Sequence, residues 1–298
     1  MERRYPSYLN LTHRDWQDRI EKALDMLRAC KVCPHQCGVN RLEEKVGYCK
    51  RGRYALVADY FAHRGEEKPI RGKRGSGTVF FSYCNMRCVY CQNYAISHLG
   101  DGQEINPQEL AKIFLLLQNL GCHNINLVTP SHVVPQILEA LYMAVKEGLR
   151  IPIVYNTSSY DSIESLKLLE GIVDIYLADF KYGDSQKGKK YSKVKNYYET
   201  ALEAIKEMYK QVGDLQVDEE GVAVKGLIIR HLVLPNGIAD TQKVLESLKD
   251  ISTNIAINIM DQYMPYYEAY HYPELSKRIY YKEYQEALGF AEGFNLIT

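Results

Sequence analysis

The sequence predicts an α/β protein built on a parallel sheet, on three observations. From Thr78 onward, short apolar runs alternate with amphipathic helices, the order that parallel strands joined by right-handed helical crossovers require. The runs end in polar residues: Tyr83-Cys84, Thr129 to His132, Asn156 to Ser158, Asp179 to Lys181, Pro235-Asn236 and Asp261-Gln262. Carboxyl ends of parallel strands carry the active site in a (β/α) barrel and in an open doubly wound sheet alike, so these ends mark a site while leaving both architectures open. Finally, 298 residues with 46% hydrophobic and 25% charged side chains describe an ordinary folded chain with a sizeable core.

Residues 14–29 read as a helix, with Trp16, Ile20, Ala23, Leu24 and Leu27 on one stripe. A cysteine-rich loop follows, and 54–77, ending in IRGKRGSG, reads as a connector that places the first boundary after residue 77. Strands are expected at 79–82, 125–128, 151–155, 172–178, 227–234 and 255–259. Asn106, Pro107 and Glu109 supply a cap, a first-turn Pro and an acidic residue for a helix whose Leu110, Ile113, Phe114 and Leu117 share a face. Further helices are expected at 135–147, 161–170, 196–212 and 240–251, and DEEG within 213–225 suggests an inserted hairpin before the fifth strand.

Composition excludes several classes. Lys+Arg and Asp+Glu both number 37, so no global footprint for nucleic acid or anionic membrane exists. The longest uncharged stretch, 113–138, is interrupted by Gln118, Asn119, His123, Asn124 and other polar residues and is not a membrane span. The opening MERRYPSYLNLTHRDW lacks the apolar segment of a signal peptide, so export to an oxidising compartment is not expected and a cytoplasmic location is. Its eight cysteines are therefore expected as ligands or free thiols rather than disulfides.

The sharpest signal is Cys84-Asn-Met-Arg-Cys88-Val-Tyr-Cys91, a C-x₃-C-x₂-C run directly after the first strand. Three thiolates on one loop can hold three irons of a [4Fe-4S] cluster and leave the fourth open; a zinc site completed by water is the alternative. This run resembles the radical S-adenosylmethionine (SAM) superfamily, in which C-x₃-C-x-aromatic-C opens a partial (β/α)6 barrel, Tyr90 filling the aromatic slot. GTVFFSYCNMRCVYCQN is similar to the matching stretch of pyruvate formate-lyase-activating enzymes and their uncharacterised relatives, and Cys30-x-x-Cys-Pro, RHLVLP and DQYMP extend the likeness over most of the chain.

The resemblance implies an iron-sulfur oxidoreductase-like enzyme that chelates SAM at the open iron and cleaves it reductively to a 5′-deoxyadenosyl radical for hydrogen abstraction. It implies a reductant such as flavodoxin or ferredoxin, and a glycyl radical enzyme as the partner, with a peptide or small molecule as the alternative substrate. It assigns Cys84, Cys88 and Cys91 to the cluster. The strand end that in the family carries a Gly-Gly-Glu-like stretch for the SAM amino group reads Thr129-Pro130-Ser131-His132 here, so hydroxyls of Thr129 and Ser131 or backbone carbonyls replace a carboxylate. Asn156 and Thr157 match positions near the SAM methionyl and ribose groups, and Asp179 and Lys181 match an Asp-x-Lys that faces the SAM carboxylate. Within GLIIRHLVLP, neighbouring strand residues point to opposite faces; Arg230 is expected inside, facing the SAM carboxylate or Asp179, and His231 in a packing role.

The second constellation, Cys30-x₂-Cys33-x₃-Cys37-x₁₁-Cys49, suggests a closed site for zinc or an auxiliary iron-sulfur cluster; the lone Cys122 reads as core. The Tyr-rich stretch 263–298 reads as a helical cover or packing tail over the barrel 78–262, with 1–77 as an N-terminal extension. A rival from another class is a non-catalytic zinc-stabilised binding module.

Overall fold

The computed structural model describes residues 5–297. In chain order the elements are α1 (His13–Asp25), β1 (Ala55–His63), α2 (Lys68–Arg71), β2 (Ser76–Phe81), β3 (Gln103–Ile105), α3 (Pro107–Asn119), β4 (Ile125–Val128), α4 (Val134–Lys146), β5 (Ile153–Thr157), α5 (Ile163–Leu169), β6 (Ile175–Asp179), α6 (Ser185–Ser192), α7 (Tyr197–Val212), β7 (Gln216–Val217), β8 (Ala223–Leu232), α8 (Thr241–Lys249), β9 (Ala256–Met260), α9 (Tyr281–Phe290) and β10 (Asn295–Leu296). Capping boxes fix the starts of α1 and α3. In α3, Asn106 Oδ1 accepts from Glu109 N–H at 3.0 Å while Glu109 accepts from Asn106 N–H at 2.8 Å, and Pro107 sits where no N–H is needed.

Strand order decides between the two architectures. The path runs β10-β9-β8-β6-β5-β4-β2-β1-β3, and β2, β4, β5, β6, β8 and β9 pair in parallel in the order of the chain. No reversal point occurs, so right-handed crossovers lay every connecting helix on one face, as in a barrel and unlike a doubly wound sheet. The path ends at β10 and β3 without closing, which makes it a partial (β/α)6 barrel. The parallel strands are buried on both faces, the reason their sequences run apolar instead of alternating. Outward Tyr155, Tyr176, Ala178, Leu227 and Ile229 join the helix layer; inward Val154, Ile175, Leu177, Ile228 and Ala256 form a small second core around Ile70 of α2.

Residues 54–77, expected as a connector, contain β1, which pairs antiparallel with β2 and with β3. Its Asp59, Tyr60 and Phe61 are exposed, so neither apolar run nor clean alternation announces it. The expected hairpin is present: β7 pairs with the start of β8 across Asp218–Gly221. Immediately beyond, Gly226 has φ +123 and a Cβ there would lie 2.4 Å from the Asp214 carbonyl oxygen. Gly226→Ala is therefore expected to cost about 1–3 kcal/mol, seen as a lowered thermal midpoint; an unchanged midpoint would contradict the placement.

Two buried histidines set the acid limit of the fold. His231 faces the helix layer, donating from Nδ1 to the Phe180 carbonyl at 2.7 Å and accepting from Thr241 Oγ1 at 2.9 Å, while His132 donates to the Ser82 carbonyl at 3.0 Å. Burial, reinforced at His132 by Arg41, pushes His231 down to about 4 and His132 to about 3. Both are neutral in the folded chain but charge near pH 6.5 when unfolded, so stability is full above that value and falls as pH drops toward 4 and 3, by on the order of 3 kcal/mol each. Asp174, raised by burial to about 6, acts in the opposite direction over a narrower span and does not offset the pair. His132→Asn should flatten the acid limb of a urea-unfolding series between pH 6.5 and 3.5.

Candidate active site

Three cysteines leave β2 on a loop held by its own backbone and by α6. Tyr83, Thr129 and Ser159, at or just past the carboxyl ends of β2, β4 and β5, all have φ near +60, a conformation that is costly for non-glycine residues. Met86 N–H donates to Cys84 Sγ at 3.3 Å, Ser192 Oγ lies 3.0 Å from Cys88 Sγ, and Ser97 Oγ lies 3.0 Å from Cys91 Sγ. Arg87 clamps the loop by donating from Nη1 to the Cys84 and Ser97 carbonyls and from Nη2 to the Tyr48 carbonyl. Ser192 continues to Tyr182 Oη at 2.8 Å and that to Tyr90 Oη at 2.6 Å, so the aromatic residue of the motif is tied to the Cys88 sulfur.

Burial pushes the Cys84 thiol up to about 12 and that of Cys88 to about 11, with Lys181 pulling Cys88 back toward ionisation; Cys91 is raised by burial as well. Such thiols ionise when a metal takes the proton's place. Among the described residues no three Cys, His, Asp or Glu side chains converge on a single ion, and a cubane asks for none, because each thiolate takes a separate iron. Three soft donors, N–H and O–H groups aimed at the sulfurs and a nearby ammonium together fit a [4Fe-4S] cluster.

Beside the loop lies a charged lumen. Register pairs Asp179 with Arg230 and Arg230 with Asn258 across β6, β8 and β9, all pointing inward. Arg230 donates from Nε to Asp179 Oδ1 at 2.8 Å and from Nη2 to Asn156 Oδ1 at 2.7 Å, and its Nη1 lies 3.6 Å from Glu66 Oε2. Lys181 Nζ donates to Asp179 Oδ2 at 2.6 Å. Burial would neutralise these groups, but mutual attraction wins: Asp179 is held below the usual carboxylate range by Arg230 and Lys181, and Lys181 is raised by Asp179. Glu67 adds a third carboxylate, accepting from Asn258 Nδ2 at 3.0 Å with its other oxygen buried and unpartnered.

Cys88, Cys91, Tyr90, Asp179, Lys181 and Arg230 line one cavity of about 270 Å³, walled on the far side by Met260, Tyr263, Met264 and Tyr266. Cys84 and Asn156 adjoin it through the loop and through Arg230. A roomier cleft of about 1,020 Å³ against α1 gathers no such set of cysteines and paired charges. Thr129 stands half-buried at its strand end and donates its N–H to the Asn156 carbonyl at 3.0 Å. Ser131 and Thr157 are not brought to the lumen: their hydroxyls bond each other at 3.1 Å, and Thr157 bonds Asp161, which also accepts from Tyr155 Oη at 2.8 Å. Strand alternation explains it, since Asn156 points in and Thr157 out. Sequence reasoning missed Glu66 and Glu67, hidden in an apparent connector, and the sulfur-facing Ser97 and Ser192, which no spacing signals.

A partial barrel with a three-cysteine loop over a cationic and carboxylate lumen at the strand ends defines a metal-cluster enzyme of the (β/α) type. The sequence profile described as the Radical SAM superfamily matches residues 78–214. The uncharacterized protein MJ0674 of Methanocaldococcus jannaschii is 35% identical over 286 residues, covering 93% of this chain and 78% of that protein. The pyruvate formate-lyase-activating enzyme of Clostridium pasteurianum is 26% identical over 195 residues, 63% of this chain and 74% of that one. The crystal structure of Streptococcus suis SuiB aligns with TM-score 0.45 at 13% identity over 72% of this chain; the chain spans 46% of that protein. The chain belongs to the radical SAM superfamily, whose cofactors are a [4Fe-4S] cluster and SAM. Among the described residues no helix is long and apolar enough to cross a membrane.

Proposed function

We propose that this enzyme generates a 5′-deoxyadenosyl radical and abstracts a hydrogen atom from a substrate presented at the carboxyl ends of the strands, the first candidate being a glycine of a partner enzyme. The observation that carries this is the single cavity shared by Cys88, Cys91, Asp179, Lys181 and Arg230. Cys84, Cys88 and Cys91 would hold three irons of the cluster, which when bound and reduced by a flavodoxin- or ferredoxin-type carrier in the cytoplasm would supply one-electron chemistry for cleaving the SAM sulfonium. Lys181 and Arg230 would present cations to the SAM carboxylate, and Asn156 and the Thr129 carbonyl and hydroxyl would offer acceptors to its ammonium and ribose. Ser131 and Thr157 act one step back, bracing the ends of β4 and β5 through Asp161.

The likeness to the Clostridium pasteurianum activating enzyme supports the glycine of a partner as substrate. A second reading, a small molecule or short peptide, is favoured by the wall of Tyr263, Met264 and Tyr266, where Tyr263 packs edge-on to Tyr90 and fastens its hydroxyl to the Leu275 carbonyl at 2.7 Å. Release of 5′-deoxyadenosine from SAM by anaerobically reconstituted, chemically reduced protein tests the function. Iron- and sulfide-replete protein that binds SAM and releases none, with a glycyl radical enzyme or without, overturns it.

A further inference from the structure

Four cysteines outside this site share a loop between α1 and β1. Cys30, Cys33 and Cys49 are buried, Cys37 is half-buried, and none is in a disulfide. Left-handed Gln36, Gly38 and Lys50 turn the loop back on itself, with Cys30 N–H donating to the Val39 carbonyl at 2.9 Å and Gly38 N–H to the Cys30 carbonyl at 3.0 Å. Gly47 is pressed onto Cys37, where an added Cβ would sit 2.8 Å from its Sγ. Burial raises the Cys33 thiol, and the other three cysteines lie near enough to raise it further.

Against this loop lies a buried cation with no anion. Arg41 is 1% exposed. It donates from Nε to the Gly52 carbonyl at 3.0 Å and from Nη1 to the His132 carbonyl at 2.8 Å; Nη1 also approaches Cys30 Sγ at 3.9 Å, and Nη2 has no partner. Two carbonyls and a thiol carry no charge, whereas a guanidinium stays protonated and is costly to bury without one. Four neutral thiols do not answer that need. Four thiolates on a metal centre do, since the centre is then a net dianion.

The kind of centre follows from its setting. Thiolates on one zinc all sit about 2.3 Å from it and so converge. Four cubane thiolates instead each take a separate iron, and such a cluster, unlike zinc, carries an electron, which suits a loop hydrogen-bonded directly to the radical-site loop through His35 and the Asn85 carbonyl. We propose that Cys30, Cys33, Cys37 and Cys49 hold a second [4Fe-4S] cluster, with Arg41 as its buried counter-cation. The site is bolted to the radical-site loop: His35 donates to the Asn85 carbonyl at 2.7 Å and stacks on Tyr48 with ring centroids 3.8 Å apart, and Arg87 joins the Tyr48 and Cys84 carbonyls at 2.9 Å each.

The test is iron, sulfide and zinc per chain in anaerobically reconstituted wild type, in the Cys84→Ala/Cys88→Ala/Cys91→Ala variant and in Cys33→Ser/Cys49→Ser. Wild type should hold twice the iron and sulfide of one cubane. The triple variant should keep half, with an electron paramagnetic resonance spectrum indifferent to SAM, and the double variant half, with a SAM-sensitive spectrum. Arg41→Met should match the double variant in iron. A wild type with iron for a single cubane, a triple variant without iron, or one zinc per chain in either would overturn the proposal. The wild-type count decides even if every variant misfolds, and it does not depend on whether SAM is cleaved.

Discussion

Replacing any one of Cys84, Cys88 and Cys91 by alanine is expected to abolish 5′-deoxyadenosine formation while leaving the fold intact. The three sulfurs stand on one loop with no fourth thiol placed to substitute: Cys122 is buried in the turn between α3 and β4, and the other four lie on a separate loop. The loop keeps its shape through groups that the substitutions spare, above all the Arg87 clamp and the N–H bonds of Arg87 and Val89 to the Ser192 and Tyr191 carbonyls at 2.9 and 2.8 Å. Far-ultraviolet circular dichroism should therefore match wild type while the product disappears. The hydroxyls against the sulfurs predict a graded effect: Ser192→Ala, which removes the group 3.0 Å from Cys88 Sγ and its link to Tyr182 and Tyr90, should lower iron retention or turnover by about 10- to 100-fold. Full product from a Cys88→Ala enzyme would remove the loop from the site.

Arg230→Met is expected to be the most damaging single change in the lumen, costing about 3–5 kcal/mol of folding stability and most of the affinity for SAM. Arg230 alone spans Asp179, Asn156 and Glu66, and its loss leaves two carboxylates and an amide oxygen facing each other with only Lys181 to compensate. Lysine at this position keeps the charge but not the fork that reaches three partners, so Arg230→Lys should fall between the two. The deficit has a pH signature. Asp179 is held below its unfolded value, so its pairing contributes stability that is complete above about pH 4 and lost as pH falls through the folded value. The gap between wild type and Arg230→Met in urea unfolding should thus be widest at neutral pH and narrow toward pH 3. A gap independent of pH would mean that the arginine acts by packing alone.

Much of this was written in local pattern. The C-x₃-C-x₂-C run declares itself because three thiolates for separate irons need only a short loop, and spacing within a loop is a property of sequence. The six parallel strands and their helices were legible for a similar reason, since a strand buried on both faces must be apolar throughout. Strand alternation also sends Arg230 to the lumen and His231 to the helices, where the structure puts them.

What the pattern does not hold is who meets whom across the sheet. The alternation of strands and helices alone left barrel or open sheet undecided, because helix direction is the same in both, and strand order shows the partial barrel that the resemblance implied. Glu66 and Glu67 lie over 160 residues from Arg230 and Asn258 in the chain, and only the return of α2 beneath the strands brings carboxylates to those partners. Thr157 and Ser131 sit at the right strand ends by number, yet a half-turn of pleat gives their hydroxyls to Asp161 on the outer face. Arg41, polar in a loop of polar residues, acquires meaning only when folding buries it among cysteines without a carboxylate. Donor chemistry is local and survives in the sequence; charge compensation in a dry interior is a long-range balance, and it exists only once distant segments have been packed together.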